Sequence, residues 1–432
     1  MILPLIALLL GSAAGAEGIP SGSSRFTLHY QATVIDQGHA RFTAPYSGTN
    51  SLQPAPESAT SVTSTLFLGA RLREGTEVYV NPELSGGGGD SGARGMAAFP
   101  NGETFRIGDA RPVLYAARLY ARQIFGFGAE TEKIEDGPNQ VAGSAAARRL
   151  TLVAGKFGLA DFFDANAYAK DPRSQFMNWA LMAAGAWDYP ADTRGYTWGA
   201  LAEWRQPGWS VRGAAVAEPK VANQLDMDRN LGRAHGFVVE GEHALGAGGG
   251  RGGAVRLLAF LNEAHMGNYD QALASPGAPD VTKTRAYGRT KYGVSFNADR
   301  ELTDALGGFA RASWSDGRNE TWAFTEVDAS ESFGVEWKPS RWGRAQDRWG
   351  AAVVANELSG PHRRYLANGG YGFLIGDGAL HYGPETVLET YYRFPLRESL
   401  FVSPDYQFAV NPGYNRSRGP AQIWALRVHA EF

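Results

Sequence analysis

The chain closes on WALRVHAEF, Trp424–Phe432, and this stretch decides the architecture. Trp424, Leu426, Val428, Ala430 and Phe432 fall on one side of a period of two; Arg427, His429 and Glu431 fall on the other. That period belongs to a strand, whose successive side chains point to opposite faces. One face is apolar to its last residue and the other is charged. A terminal aromatic on the apolar face is also what outer-membrane insertion machinery reads, so the expectation is a strand with its oily side toward lipid.

The same alternation recurs upstream. In RFTLHYQATV, Phe26, Leu28, Tyr30, Ala32 and Val34 oppose Arg25, Thr27, His29, Gln31 and Thr33. Comparable segments lie near 25–35, 62–73, 75–83, 112–125, 149–157, 195–205, 209–218 and 235–245. A second set lies near 254–263, 290–299, 307–315, 330–338, 348–357, 386–394, 399–409 and 421–432, about sixteen in all, each near the ~10 residues a tilted strand needs to cross a bilayer. Long connections (36–61, 84–111, 158–194, 219–234, 264–289, 316–329, 358–385, 410–420) alternate with short ones (73–75, 206–208, 246–253, 300–306, 339–347, 395–398). Only 126–148 is long where a turn is due. Tight turns at one end and long loops at the other are the asymmetry of a transmembrane barrel. The fold expected is all-β: an antiparallel transmembrane β-barrel with long outer loops and short periplasmic turns. Tyr196, Trp204, Trp209, Trp314, Trp337, Trp349, Tyr391 and Phe394 are expected in interfacial girdles.

Bulk properties agree. The 432 residues include 55 Gly, 18 Tyr, 22 Phe and 11 Trp, a strand-and-turn composition. Net charge is −3, which gives no reason to expect nucleic acid as a partner. Cys is absent, so thiolate chemistry and disulfides are excluded. MILPLIALLLGSAAGA reads as a signal peptide over 1–16, with an Ala14-Gly15-Ala16 cleavage site and 17–432 as one barrel domain. No later run of about 18 apolar residues supplies a membrane helix. The expected place is the Gram-negative outer membrane.

About sixteen strands leave an aqueous lumen. Charges on inward faces are cheap only where water reaches them, and Arg118, Arg122, Glu203, Arg212, Glu240 and Glu242 are read as lumen residues, with Arg256 and Arg427 beside them. His29, His235, His243 and His429 are expected to face mostly inward too. The longest connection, 158–194, is read as a constriction loop. Asp161, Asp164, Asn166, Asp171, Arg173, Asn178, Asp188 and Asp192 would bind hydroxyls; Tyr168, Trp179, Trp187 and Tyr189 would offer flat faces to sugar C–H groups. Asp161-x-x-Asp164-x-Asn166 matches a calcium loop only loosely, lacking the glycine and distal glutamate of an EF-hand, and no zinc-type histidine pair occurs. No cofactor and no metal are expected.

YSGTNSL (46–52), VNPELSGG (80–87), FPNGETFRIG (99–108), GKFGLADFFDANAYAKDPRSQFMNW (155–179), DYPADTRGYTWG (188–199), GPETVLETYY (383–392) and DYQFAVNPGYNRSRGP (405–420), in this order, resemble the carbohydrate-selective porin (OprB-type) family. The resemblance implies a barrel of roughly sixteen strands in outer-membrane lipid, a homotrimer, and passive diffusion of sugars past charged residues at a narrow eyelet. Other readings stay open: a general or anion-preferring porin, built on Arg118, Arg122, Arg212, Arg256 and Arg427; a barrel hydrolase with a Ser–His pair at its rim; and a soluble secreted β-protein.

Overall fold

The computed structural model describes residues 25–107, 110–246 and 250–432. The signal peptide expected over 1–16 lies outside them. Sixteen antiparallel strands close on themselves, each beside its sequence neighbours, with the first paired to the last. They are β1 (Phe26–His39), β2 (Glu57–Arg73), β3 (Thr76–Gly87), β4 (Val113–Ile134), β5 (Gly143–Phe157), β6 (Thr197–Gln206), β7 (Trp209–Ala217) and β8 (His235–Leu245). The circuit continues through β9 (Gly253–Ala264), β10 (Arg289–Glu301), β11 (Leu306–Ser315), β12 (Ala329–Trp337), β13 (Arg348–Glu357), β14 (Glu385–Arg397), β15 (Leu400–Val410) and β16 (Ala421–Glu431). Every alternating segment of the sequence overlaps one of these strands. Closure pairs Gln31 with Glu431 and His39 with Ile423, leaving no sheet edge to satisfy.

The alternation sorts side chains as a membrane cylinder requires. Leu28, Phe237, Leu257, Phe333 and Leu426 are exposed on the outside, Leu257 to 65 %. Their strand neighbours Thr27, Val238, Arg256, Ser332 and Arg427 are buried. Phe432 stacks on Tyr30 on the outer wall, with ring centroids 6.2 Å apart.

Three expectations need correction. The 126–148 connection is not a long loop: β4 runs to Ile134 and β5 starts at Gly143, so only 135–142 turns. Past the register shift between Phe127 and Thr131 this hairpin leaves the region where one face must be oily, and the apolar alternation fades while backbone pairing continues. His235 and His243 share the outward parity of Phe237 and Val239, not the inward parity of Glu240 and Glu242. Tyr196 and Tyr391 are buried rather than girdle residues. Tyr196 precedes β6, so the strand's parity does not govern it.

Long loops and short turns alternate around the rim. The loops carry the helices α1 (Trp179–Met182), α2 (Tyr269–Ala274) and α3 (Gly360–Ala367). Much of the apolar core is where loops meet inside the cylinder, with Trp179, Trp187, Phe163 and Phe324 among its members.

Candidate functional site

The segment 158–196, between β5 and β6, lies inside the barrel. With little regular structure it must satisfy its backbone groups elsewhere. Inward side chains of six strands do so. Arg212 on β7 donates to Phe162 O at 2.8 Å, and Glu240 on β8 accepts from Asp164 N at 2.8 Å. Asn297 on β10 donates to Ala165 O at 3.1 Å, and Arg311 on β11 to Leu181 O at 2.7 Å. Glu389 on β14 accepts from Met177 N and Asn178 N at 2.5 and 2.9 Å. Arg427 on β16, 0 % exposed, donates to Pro172 O and Gln175 O at 2.6 and 2.7 Å. The loop therefore spans the bore and is fastened to it nearly all the way round. Asn178 caps α1 by accepting from Ala180 N at 3.1 Å.

A second loop, 88–112, meets it. Its turn Gly102–Arg106 is capped by the Asn101 side chain, which accepts from Glu103 N. Glu103 and Arg106 join wall residues in a compact ring of charge. Arg118 holds Asp161 through two hydrogen bonds, Nε to Oδ2 at 2.7 Å and Nη2 to Oδ1 at 2.6 Å. Arg173 Nε donates to Glu103 at 3.0 Å, and its Nη2 lies 3.6 Å from Glu83. Glu83, 0 % exposed, accepts from Thr65, Tyr115 and Tyr196 at 2.6, 2.5 and 3.0 Å. Arg106 bonds the Tyr196 hydroxyl and lies 3.3 Å from Glu103. Arg106, Arg118 and Lys156 surround the Tyr196 ring at 5.6, 5.2 and 5.6 Å. Burial pushes the Asp161 carboxyl up, but the adjacent Arg118 charge and its hydrogen bonds prevail and hold it below the usual carboxylate range. Asp161 is the wettest acid of the ring, its side chain 28 % exposed.

The residues singled out from sequence fall into three groups. Arg118, Asp161 and Arg173 belong to the ring. Asp164, Asn166, Asn178, Trp179 and Asp188 are buried braces that tie the loop to the wall and to neighbouring loops. Asp164 Oδ1 accepts from Arg311 at 3.1 Å, Asn166 bonds Asn297 at 2.8 Å, and Asp188 accepts from Trp322 N and Ala323 N of loop 316–328. Asp171 accepts from Arg173 N at 3.0 Å within the loop. Trp179 stacks on Phe99, and Trp187 packs on Tyr189, so these rings form core. The third group lies on the wall toward the short turns: Arg122 bonds Glu77, Arg212 pairs with Glu240 and Glu242, and Glu203 lies 3.8 Å from Arg212 Nε. The calcium-like spacing dissolves, since Asp161 and Asp164 are taken up by different arginines. Among the described residues no three His, Asp or Glu converge as a metal would require.

Sequence reasoning missed Glu83, Glu103, Arg106, Lys156 and Tyr196. Glu103 and Arg106 stand three apart after Asn101-Gly102, a legible capped turn with an internal ion pair, but nothing local says that it enters the bore.

Water-accessible space lies toward both ends of the bore, lined by sequence neighbours of ring residues and by no ring side chain itself. Toward the long loops is a cavity of about 200 Å³ lined by Phe105, Phe324, Thr193 and Asn223 among others. Toward the short turns is one of about 610 Å³ lined by Phe162, Arg122, Thr151 and Glu203 among others.

The family model described as "Carbohydrate-selective porin, OprB family" matches residues 49–432. No curated protein sequence matches significantly. Among solved structures, OprB of Pseudomonas putida at high pH is 16% identical over 94% of each chain, with a TM-score of 0.70. Its low-pH form is 12% identical over 94% of this chain and 92% of that one, with a TM-score of 0.51. The outer membrane channel DcaP of Acinetobacter baumannii is 9% identical over 96% of this chain and 100% of that one, at 0.53. At these identities the structural likeness speaks to the fold.

Proposed function

This chain belongs to the carbohydrate-selective porin family OprB, an outer-membrane barrel family, and from that premise we propose that sugars diffuse through its bore and are sieved at the ring of Glu83, Glu103, Arg106, Arg118, Asp161, Arg173 and Tyr196. The observation that carries the assignment is the meeting of loops 158–196 and 88–112 on one balanced set of charges between two water-accessible cavities. Acids and bases alternate there, and the Asp161 carboxylate and Arg106 guanidinium, with side chains 28 % and 11 % exposed, are the acceptor and donor that a neutral polyol meets. A free ion must pass charges of its own sign in a low-dielectric neck.

The anion-preferring alternative loses its support in the pairings. Arg118, Arg122, Arg212 and Arg256 each face a carboxylate, and Arg427 is buried on backbone carbonyls. For a rim hydrolase, His381 Nδ1 does lie 2.7 Å from Ser417 Oγ. Among the described residues no carboxylate orients that imidazole, so the triad logic is incomplete, and we propose a channel without catalytic activity. Residues 1–16 are proposed as the export signal; the mature chain from the outer membrane should then begin at Glu17.

We further propose a homotrimer in outer-membrane lipid. The outward facet of Ala154, Ala200, Ala202 and Ala215, between ridges of Leu152 and Phe237, supports this by letting a neighbour approach closely. Light scattering of the purified protein should give three chains per particle; one chain would refute it.

Planar-bilayer recording and liposome swelling with a sugar series test the main reading. Added sugar should block the current in a concentration-dependent way, and small sugars should swell the liposomes. A strong anion preference with no sugar block would favour the general porin.

A further inference from the structure

The turn 135–142, which the sieve does not use, bends back into the bore from the short-turn end. Arg71 on β2 donates to Ala142 O and Val141 O, both at 3.1 Å. Asn81 on β3 donates to Asn139 Oδ1 at 2.9 Å, and Arg122 on β4 reaches Asn139 O at 3.4 Å. Val141 is wholly buried in the core shared by Tyr79, Tyr120 and Val153. Asn81 is the cross-strand partner of Arg118, so the tip reaches the depth of the ring from below. Gly137 and Gln140 exchange two backbone hydrogen bonds, which makes the tip a compact unit.

The 610 Å³ cavity is the space between this tip and Phe162 of the 158–196 loop, with Gln140 and Val141 on the tip's side. Its volume falls within the range of small-molecule sites. Thr151 and Glu203 sit opposite each other on β5 and β6. Neither side chain makes a hydrogen bond among the described residues; the nearest cation to Glu203 is Arg212 Nε at 3.8 Å, itself without an acceptor. Arg205, two pairs nearer the short turns, is 43 % exposed at its side chain and lies 3.8 Å from Glu132. Phe162 adds an apolar face.

We infer that this compartment is a second sugar-binding site, in series with the ring and on its periplasmic side, floored by the 135–142 turn. It takes a neutral mono- or disaccharide: Glu203 and Thr151 hold hydroxyls, Arg205 donates to them, and Phe162 covers a C–H face. The inference rests on the reading that carbohydrates pass through the bore.

The test is sided block of single channels. The chain has no Cys, so a Thr303→Cys marker in a short turn, probed with an impermeant thiol reagent, reports which side faces which chamber. Maltose added to the short-turn side alone should block the wild-type channel. Glu203→Ala should raise the half-blocking concentration about tenfold, the loss of one charge-assisted hydrogen bond. Glu203→Gln, of nearly the same shape, should give a smaller rise, and Thr151→Trp should fill the space and remove the block. Block of all three variants at wild-type concentrations from that side would overturn the second site while leaving sugar passage intact. A wild-type channel that no sugar blocks from either side would overturn both.

Discussion

Of the segments that enter the bore, 158–196 and 135–142 do so from opposite ends and on different terms. The 158–196 loop sits on buried ionic anchors: the Arg311 and Asp164 side chains are 2 % and 4 % exposed, and Lys291 and Asp188 are fully buried. The 135–142 turn hangs on backbone carbonyls, held by an Arg71 side chain that keeps 22 % of its surface open. Its outermost tie, His29 to Asp136 at 3.0 Å, is wetter still. Ionic anchors in a dry setting hold a loop in one place, because breaking one strands a charge; carbonyl ties near water can be exchanged for water at little cost. The fixed segment suits a sieve and the looser one suits a floor that solutes must leave past.

The largest effect should therefore come from the loop. Asp164→Ala strands Arg311 and should lower stability by about 3–5 kcal/mol, read as a drop in the temperature of the heat-induced gel shift. An unchanged shift would break the contrast. Arg71→Ala, the matching cut at the turn, should cost less, about 1–2 kcal/mol, with a noisier open-channel current as the turn loosens.

A finer probe uses pH at the outer loops. Glu326, in loop 316–328, accepts from Leu374 N and Ile375 N at 2.7 and 2.8 Å, and burial pushes its carboxyl up to about 7 despite the opposing His362. A carboxyl raised on folding favours the protonated folded state. The loops are then firmest below the ordinary carboxylate value, near 4.5, and lose stability as pH rises through about 7. Asp328 beside it is pushed up by burial, but the His362 charge and hydrogen bond bring it down to about 2, so it adds no pH dependence in that window. Protease nicking within 316–328 and 358–384 should be faster at pH 8 than at pH 5, and Glu326→Gln should flatten the difference. Equal nicking of the parent chain at both values would contradict this.

The barrel was legible because lipid and water impose opposite demands on alternate residues, and Trp424 to Phe432 displays both within one strand. The hairpin beyond Phe127 was not, because outside the membrane neither demand applies. The bore's contents were legible only as a region. The composition of 158–194 announced a polar, aromatic loop, but a segment without a period has no parity to tell Asp161, paired with Arg118 yet still 28 % open, from Asp164, three residues on, buried against Arg311. Arg106 and Glu103 were hidden for another reason: their partners, Tyr196 and Arg173, are remote in sequence, and only closure of the barrel brings them together.

The most direct test of the sieve is to remove it. Phe157 and Thr197 are cross-strand partners, so a short Gly-Ser link can replace 160–192 without straining the wall. A folded, heat-modifiable barrel with several-fold higher single-channel conductance and no sugar block from the long-loop side is the predicted result. The same barrel with wild-type conductance and wild-type sugar block would mean that the sieve lies elsewhere.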